Sequence, residues 1–484
     1  MTGRSGDGAR TVAAFAAALL LLANLVPGTN WTTAPLDPSF AGGGYALVRV
    51  ASGTAEAVAA HIRSLGATDV AALDALSVVT ARIPAAALPA LRTDARVALI
   101  AADGLVAATG RGPEDDPDGR PSAGDRTVKT REAWSRSTGR GVTVAVMDTG
   151  IADHPDLAGS VVGRFDFVHD GAPSLDPGGH GTFLAGLIAA HGATFKGVAP
   201  DAKLVSLRVL NANGVGTLHS VLAAFDWVLR NRTTYGIRVV NISWGTAQTT
   251  SYQRDLLAGV VESAWFAGVT VVAAAGNDGP LPGTVSSPAA DPFVISAGSL
   301  DDDGTPAHED DRESTFSGRG PTRDGFAKPD LLAPGEHVVS LRVPGTGPSP
   351  YRKLTGTSAS AAFVSGAAAL LLQAHASYSP TDVKGALVAG GYRVTAAVTP
   401  GLDAANALTV QPARVNADLA PSRVLISLLA KTGAFTDARQ WGVSWEGVSW
   451  ERLRWQTISW ESVSWEAVSW DAVSWDAVTW EQRR

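Results

Sequence analysis

The chain has 484 residues, a formal net charge of -7, and a composition that is 45% hydrophobic and 18% charged. This length exceeds one average domain, and the apolar content suits a buried core rather than a disordered chain. The lack of a basic cluster argues against a nucleic-acid partner. The lack of cysteine excludes disulfides, thiolate catalysis and cysteine-based zinc sites.

Residues 1–28 have the pattern of an export signal. Arg4 and Arg10 precede an apolar run from Val12 to Val26, and Pro27 and Gly28 follow it. A basic flank, an apolar segment and a breaker are typical of secretory signal peptides. The run is short for a membrane-spanning helix, which needs about 20 apolar residues. No small-x-small cleavage site is clear, so an uncleaved N-terminal anchor stays open. We expect a secreted or cell-surface protein, by bacterial export.

Residues 45–109 form a separate unit with alternating strand and helix patterns. Thr54 is placed to cap a helix that ends before Gly66, and Pro84 suits the first turn of a second helix. Three strands in about 65 residues indicate a small α/β sandwich. The predicted strands cover 45–50, 77–83 and 97–101.

A segment over 110–126 is dense in Pro, Gly and acidic residues, and its composition is typical of an exposed, cleavable linker. From 127 to 408, near-continuous apolar runs alternate with helical patterns. Such runs are typical of parallel strands covered on both faces. The fold class predicted is therefore α/β, a doubly wound, mostly parallel sheet, with a small α/β unit before it and a repeat tail after it. Strands are expected at 142–147, 204–209, 238–242, 269–275 and 293–297, and helices at 181–190, 218–231, 252–267 and 358–376.

After a linker over 409–440, residues 441–484 carry a tryptophan every five residues from Trp445 to Trp480. A period of five fits neither a helix nor a strand. Three interpretations stay open: a disordered low-complexity tail, a small solenoid of short strands, or an adhesive tail that binds a protein or cell-surface partner through exposed aromatic rings.

Three candidate catalytic residues lie at turns or helix starts. Asp148 directly follows a predicted strand, and His180 and Ser358 each open an apolar helix beside a glycine. The sites of doubly wound sheets lie beyond the carboxyl ends of the strands, where such side chains can converge. A serine hydroxyl needs a base, imidazole is well matched near neutral pH, and a buried carboxylate orients the imidazole. The three types together predict acyl transfer.

The motifs Asp148-Thr149-Gly150, His180-Gly181-Thr182 and Gly356-Thr357-Ser358, in this order, resemble those of the subtilases, the subtilisin-like serine peptidases. The resemblance covers 127–408. It implies a serine endopeptidase that hydrolyses peptide bonds of proteins or peptides. The alternative is a catalytically inactive subtilase-like protein that binds partners through its cleft or its tail.

The resemblance also assigns further residues. Asn277, after the run 273–276, is similar to the family's side-chain donor to the oxyanion. Ser243, Trp244 and Gly245 resemble the edge that pairs with an extended substrate peptide. The unit at 45–109 resembles an inhibitory propeptide, which implies a partner for the cleft within the chain itself, cut within 105–126.

Departures from the family pattern concern specificity. Phe183 stands where a second histidine is common, Trp244 replaces a leucine and is expected to reshape a subsite, and Ala359 opens a stretch without the usual proline. No cofactor is certain. Calcium is possible at Asp156, which resembles a family ligand, although a capping or solvated aspartate is favoured. The acidic stretch 301–313 is interpreted as a solvated insertion, and His191, His219 and His375 as structural.

Overall fold

The computed structural model describes residues 44–425, apart from 52, 111–112, 115–122, 173, 418 and 423. The predicted export signal at 1–28 and the tryptophan tail at 441–484 lie outside the described residues. So do most of the acidic linker at 110–126 and the end of the linker at 409–440.

The N-terminal unit, residues 44–104, is a four-stranded antiparallel sheet in the order β2-β3-β1-β4. Its side chains alternate between two faces, as strands require. Val48 and Val79 pack under helix residue Ile62, whereas Leu47 and Val78 join the core of the next unit. Its elements are β1 (Gly44–Val50), α1 (Ala55–Ser64), β2 (Thr68–Leu73), β3 (Val78–Ile83), α2 (Leu88–Thr93) and β4 (Val97–Ala102), with 3₁₀ turns at Asp74–Leu76 and Ala85–Ala87.

Thr54 caps α1 as predicted, because its hydroxyl oxygen accepts the Ala57 N–H at 3.2 Å. Strand β2 was not predicted from the sequence. Its composition, with one β-branched apolar residue, gives little strand signal, and pairing with β3 forms it. Two short strands follow the unit, β5 (Leu105–Ala108) and β6 (Pro113–Glu114).

The second unit contains an eight-stranded sheet, and this confirms the predicted α/β class. Its order is β15-β14-β13-β11-β7-β9-β8, with β16 paired to β14, and all pairs are parallel except β14 with β15. The unit starts with α3 (Gly124–Thr127), α4 (Thr130–Ala133), β7 (Thr143–Asp148), β8 (Val161–Asp166), α5 (His180–Ala189), β9 (Lys203–Arg208), β10 (Val215–Thr217), α6 (Leu218–Tyr235), β11 (Ile237–Ile242), β12 (Trp244–Gly245) and α7 (Leu256–Phe266). It continues with β13 (Thr270–Ala274), β14 (Ile295–Asp301), β15 (Arg312–Glu313), β16 (Leu331–Pro334), β17 (Val338–Leu341), β18 (Tyr351–Leu354), α8 (Thr357–Ala374), α9 (Pro380–Gly390) and α10 (Ala404–Ala407).

Strand β7 is the point at which the sheet reverses its order of addition. The next strands along the chain, β8 and β9, lie on one side of β7, and β11, β13 and β14 lie on the other. A crevice opens at such a switch point, beyond the carboxyl ends of the strands. Asp148 ends β7, and Ser243 and Ala275 follow the ends of β11 and β13. The fold thus gathers these segments at one edge.

Helix α8 is long and apolar enough to cross a membrane by composition, but it is buried inside the protein. It packs against the central strands of the large sheet, and its residues belong to the main core. This agrees with the apolar helix that the sequence predicts over 358–376. Its first turn carries Ser358.

The predicted linker over 409–440 is partly packed in its described portion. Ser422 is buried, and its N–H donates to both carboxylate oxygens of Glu262 on α7, at 3.0 and 2.9 Å. Val424 lies against Gly259, where a Cβ would come within 2.4 Å of it. The expectation of a plain linker is corrected for this segment, because a buried carboxylate 160 positions away supplies its hydrogen-bond acceptor.

Candidate active site

Asp148 and His180 form a buried pair at the end of β7 and the start of α5. The Nδ1 atom of His180 lies 2.7 Å from Oδ1 of Asp148. The same oxygen accepts the Thr149 N–H at 2.7 Å, so the carboxylate is fixed from two sides. Asp148 is fully buried and His180 is 8% exposed. A carboxylate on Nδ1 holds the ring so that Nε2 faces the cleft and is free to accept a proton.

Ser358 and Asn277 lie on the opposite side of the cleft. The side-chain oxygen of Asn277 accepts the N–H and the hydroxyl of Thr357, at 3.0 and 2.9 Å. These two donors fix the amide orientation, so its NH₂ group faces the cleft. There it donates to the carbonyl oxygen of Thr109. Ser358 begins α8, whose N-terminal dipole favours negative charge at this point.

Residues 105–109 run through the cleft as an added strand. β5 lies between β10 and β12 and is antiparallel to both, with Ala107 opposite Gly245 and Ala108 opposite Trp244. The Thr109 N–H then donates to the Ser243 carbonyl at 3.0 Å. The structure therefore places Ser243, Trp244 and Gly245 along an extended peptide, in the geometry of strand addition.

The Thr109–Gly110 peptide bond lies between the candidate nucleophile and the candidate base. The Ser358 hydroxyl is 2.9 Å from the Thr109 hydroxyl and 3.2 Å from the Ser243 carbonyl. A Cβ on Gly110 would be 3.1 Å from Nε2 of His180. Among the described residues, that Nε2 has no hydrogen-bond partner. A proton transfer from Ser358 to His180 would require the hydroxyl to turn toward Nε2, a tightening that catalytic hydrogen bonds commonly show.

Gly356 has a steric role at this point. A Cβ there would lie 2.5 Å from the Thr109 carbonyl oxygen, and its φ of +155° is one that other residues rarely adopt. Any larger residue would push the peptide carbonyl away from Asn277. The glycine of the Gly356-Thr357-Ser358 motif thus provides room for the carbonyl beside Ser358.

Sequence reasoning did not identify Asp176, a carboxylate four residues before His180. It is 1% exposed and accepts hydrogen bonds from Thr149 and Thr182, the threonines of the two neighbouring motifs. Burial raises the pKa of Asp176, and the hydrogen bonds from Thr149 and Thr182 oppose that shift. Burial also lowers the pKa of Arg352, a guanidinium beside Gly179. An acidic residue close before a His-Gly-Thr motif is the signal that could have identified it.

Two of the predicted departures are buried rather than open to the cleft. Trp244 is fully buried, and its indole N–H donates to the Met147 carbonyl at 2.9 Å. Its ring therefore supports the sheet from inside, and the expectation that it reshapes a subsite is corrected to an effect through the core. Phe183 is also fully buried, with the guanidinium of Arg352 5.8 Å from its ring centre.

The acidic residues considered for calcium contact other side chains of the protein, and calcium binding stays a prediction from the family resemblance. Asp156 accepts the Tyr351 hydroxyl at 3.2 Å, and across the described part of the chain no group of three or more His, Asp or Glu side chains is placed to hold a metal. The stretch 301–313 is not simply solvated, which corrects that expectation. Asp302 accepts the Thr127 hydroxyl at 3.1 Å and Asp311 accepts the Tyr392 hydroxyl. Burial raises the pKa of Asp302 to about 6.

Comparisons with known proteins identify the family of the chain. The model of the subtilase family matches residues 139–404. Serine protease AprX of Bacillus subtilis (strain 168) is 40% identical over 266 residues, which are 51% of this chain and 60% of that protein. An alkaline protease of Alkalihalobacillus alcalophilus is 37% identical over 51% of this chain and 58% of its own length.

Subtilisin Savinase of Lederbergia lenta is 37% identical over 249 residues, 51% of this chain and 82% of that protein. The match thus spans somewhat more than half of the first two relatives and most of the third. Since the family model covers more than half of the chain and includes Asp148, His180, Asn277 and Ser358, the chain belongs to the subtilase family.

Proposed function

We propose that this chain is a serine endopeptidase that is made as an inactive precursor and cuts itself between Thr109 and Gly110. One observation carries the proposal. The Thr109 carbonyl accepts a hydrogen bond from Asn277, while Ser358 and His180 lie on the two sides of the following peptide bond. A peptide held as an added strand with its carbonyl on a fixed donor is poised for attack.

The proposed roles follow from the geometry. Ser358 attacks the Thr109 carbonyl carbon, and His180 takes the hydroxyl proton on Nε2. Asp148 holds the ring through Nδ1 and stabilises the imidazolium. The carbonyl oxygen becomes an oxyanion held by the Asn277 amide, and His180 then gives its proton to the leaving nitrogen of Gly110. Water hydrolyses the resulting ester by the same steps in reverse.

The N-terminal unit then acts as an inhibitory propeptide. The strand β5, which follows the unit, occupies the edge on which substrate would bind, so activity on other proteins requires the departure of this strand. Substrates are expected to bind as extended segments between Gly216 and Gly245, since the backbone of β5 pairs there on both sides. Bacterial export through residues 1–28 and partner binding by the tail at 441–484 stay proposals from the sequence.

The test is the fate of the full chain with and without the nucleophile. The unaltered protein should yield a fragment that begins at Gly110, and Ser358→Ala should stay joined at that bond. Intact-mass spectrometry and N-terminal sequencing give the result. A fluorophosphonate probe should label the processed protein and not Ser358→Ala.

Two outcomes would contradict the proposal. If Ser358→Ala is cut at the same bond to the same extent, another protease performs the processing. If the processed protein takes up no fluorophosphonate, the alternative of an inactive binding protein gains support. Ser137→Ala is a matched control, because Ser137 is buried and its hydroxyl donates to the Leu370 carbonyl at 2.7 Å, near the end of α8 opposite to Ser358. It should process normally.

A further inference from the structure

A second buried carboxylate links the turn that carries Asp148 to the helix that carries His180. Each oxygen of Asp176 accepts two hydrogen bonds. Oδ1 takes the Thr149 hydroxyl at 2.6 Å and the Gly179 N–H at 2.7 Å. Oδ2 takes the hydroxyl and the N–H of Thr182 at 2.6 and 2.7 Å. Four donors match the acceptor capacity of an ionised carboxylate. Because all four partners act as donors, none of them accepts a proton from a neutral carboxyl group.

The two threonines cross between the segments. The Thr149 hydroxyl oxygen accepts the Gly181 N–H from the start of α5 at 2.9 Å. The Thr182 hydroxyl oxygen accepts the Ala152 N–H from the turn after β7, also at 2.9 Å. Because each hydroxyl oxygen accepts a backbone N–H from the opposite segment, its own proton is available for Asp176. Removal of Asp176 leaves both hydroxyls without that acceptor.

Close packing of the main chains fixes the position of the turn after β7 relative to the start of α5. A Cβ on Gly181 would lie 2.0 Å from the Gly150 carbonyl oxygen, and a Cβ on Gly150 would lie 1.9 Å from the Leu175 carbonyl oxygen. The turn and the helix start therefore touch through their main chains, and a shift of either moves the other. Asp148 and His180 lie on these two segments, one residue from Thr149 and Gly181.

We infer that Asp176 is a positioning residue for proteolysis, which acts through Thr149 and Thr182 to set the distance and angle between Asp148 and His180. This inference rests on the proposed function. The charge of Asp176 also acts on the imidazole of His180. The charged groups that face Asp176 are Asp148 at the end of β7 and Arg352 on β18.

The decisive variant is Asp176→Asn, which keeps the volume but loses the charge and one acceptor oxygen. Turnover per active site, counted by fluorophosphonate titration, should fall about 10- to 100-fold on a small peptide substrate, since a displacement of about 1 Å can cost 100-fold. KM should stay within about two-fold, because the peptide-binding edge is not touched. The acid limb of kcat/KM should move to lower pH, because the variant has lost a negative charge that favours the imidazolium.

The threonines supply the rescue. Thr149→Val and Thr182→Val should each lower kcat, and Thr149→Ser and Thr182→Ser should restore most of it, since serine keeps the hydroxyl. Asp201→Asn is a matched control, because Asp201 also accepts a threonine hydroxyl, from Thr138 at 2.7 Å, far from the cleft. It should leave kcat unchanged.

The outcomes separate the two proposals. If the unaltered protein neither processes nor labels, the proposed function fails. If it does both, and Asp176→Asn lowers only the thermal midpoint, with an unchanged kcat per titrated site and an unchanged acid limb, Asp176 has a structural role and the inference is overturned. A variant that folds poorly still gives a result, because the serine variants of the threonines report on the same link.

Discussion

The N-terminal unit contacts the rest of the protein in two regions that differ in kind. In the cleft, the contact is made chiefly by main-chain groups of residues 105–109, which directly follow the unit and pair with β10 and β12. On the face of α6 and α7, which we call the helix face, the contact is made by side chains. Leu47 and Val78 enter the core beside Leu256 and Val260 there.

Polar contacts add specificity on the helix face. Oδ1 of Asp226 on α6 accepts the Ala75 N–H at 2.8 Å. Asp103 accepts the N–H of His219 at 3.0 Å and lies 2.6 Å from its Nδ1, at the start of α6. The ring of Tyr45 stacks on His219 with 4.4 Å between ring centres. Asp103 belongs to the N-terminal unit and thus caps the N-terminus of α6, where backbone N–H groups lack partners within the helix.

The difference separates two tasks. Main-chain pairing accepts many sequences, as a protease cleft requires, and it gives little preference for one peptide. Side-chain contacts on the helix face give preference for this one unit, and hydrolysis of the Thr109–Gly110 bond leaves them intact. We therefore expect the N-terminal unit to stay bound after cleavage, held chiefly through the helix face.

The largest effect should come from a substitution that alters only the contacts in the cleft. Asn277→Ala removes the donor to the Thr109 carbonyl and should lower kcat about 100- to 1000-fold, with little change in KM. Self-processing should slow by a similar factor, followed as the first-order appearance of the Gly110 terminus. Retention of the N-terminal unit should not change, since no contact of the helix face is altered. If kcat falls by less than five-fold, Asn277 does not stabilise the oxyanion.

A smaller effect should come from a substitution that alters only the contacts on the helix face. Asp226→Ala leaves the partly buried Ala75 N–H without its acceptor, at a cost of about 1 to 3 kcal/mol. The processed N-terminal unit should then dissociate at roughly 5- to 150-fold higher concentration. Recovery of peptidase activity on dilution of the processed protein measures this.

Asp226→Asn is the matched control for that change. Asparagine keeps one oxygen that can accept the Ala75 N–H, so retention should lie between the alanine variant and the unaltered protein. The kcat of the fully released enzyme should be equal in all three. If Asp226→Ala releases the N-terminal unit no more readily than the unaltered protein does, the cleft rather than the helix face holds it.

The sequence predicts one side of this comparison far better than the other. The strands and helices around Asp148, His180 and Ser358 have strong local patterns, and their motifs are short and contiguous. The position of residues 105–109 in the cleft depends on pairing with segments more than 100 residues away. The partners of His219 and Glu262 are 116 and 160 residues distant, so local spacing gives no sign of either contact. Asp176 is an intermediate case, since it is near His180 in sequence but its role appears only when Thr149 lies beside it.

The smallest effect concerns the pH dependence of the contact between α7 and the segment around Ser422. Glu262 on α7 is buried, and burial together with the neighbouring Asp291 holds its pKa well above the usual value. Burial raises the pKa of Asp291 to about 7. A carboxyl group whose pKa is higher in the folded than in the unfolded state binds more protons when folded. The free energy of unfolding is therefore higher at acid pH, where both groups are protonated, and falls as pH rises toward and through 7.

Glu262→Gln should reduce that loss. Glutamine keeps an oxygen that can accept the Ser422 N–H, and it cannot ionise against Asp291. Between pH 5 and pH 8 the free energy of unfolding should therefore fall less in the variant, by on the order of 1 kcal/mol. Urea denaturation in a Ser358→Ala background measures this without self-digestion. In the active protein, kcat of the released enzyme should not change, because Glu262 contacts the segment around Ser422 and not the cleft. An unchanged difference in unfolding free energy between the two pH values would mean that Glu262 stays protonated to pH 8 and does not cause the loss of stability.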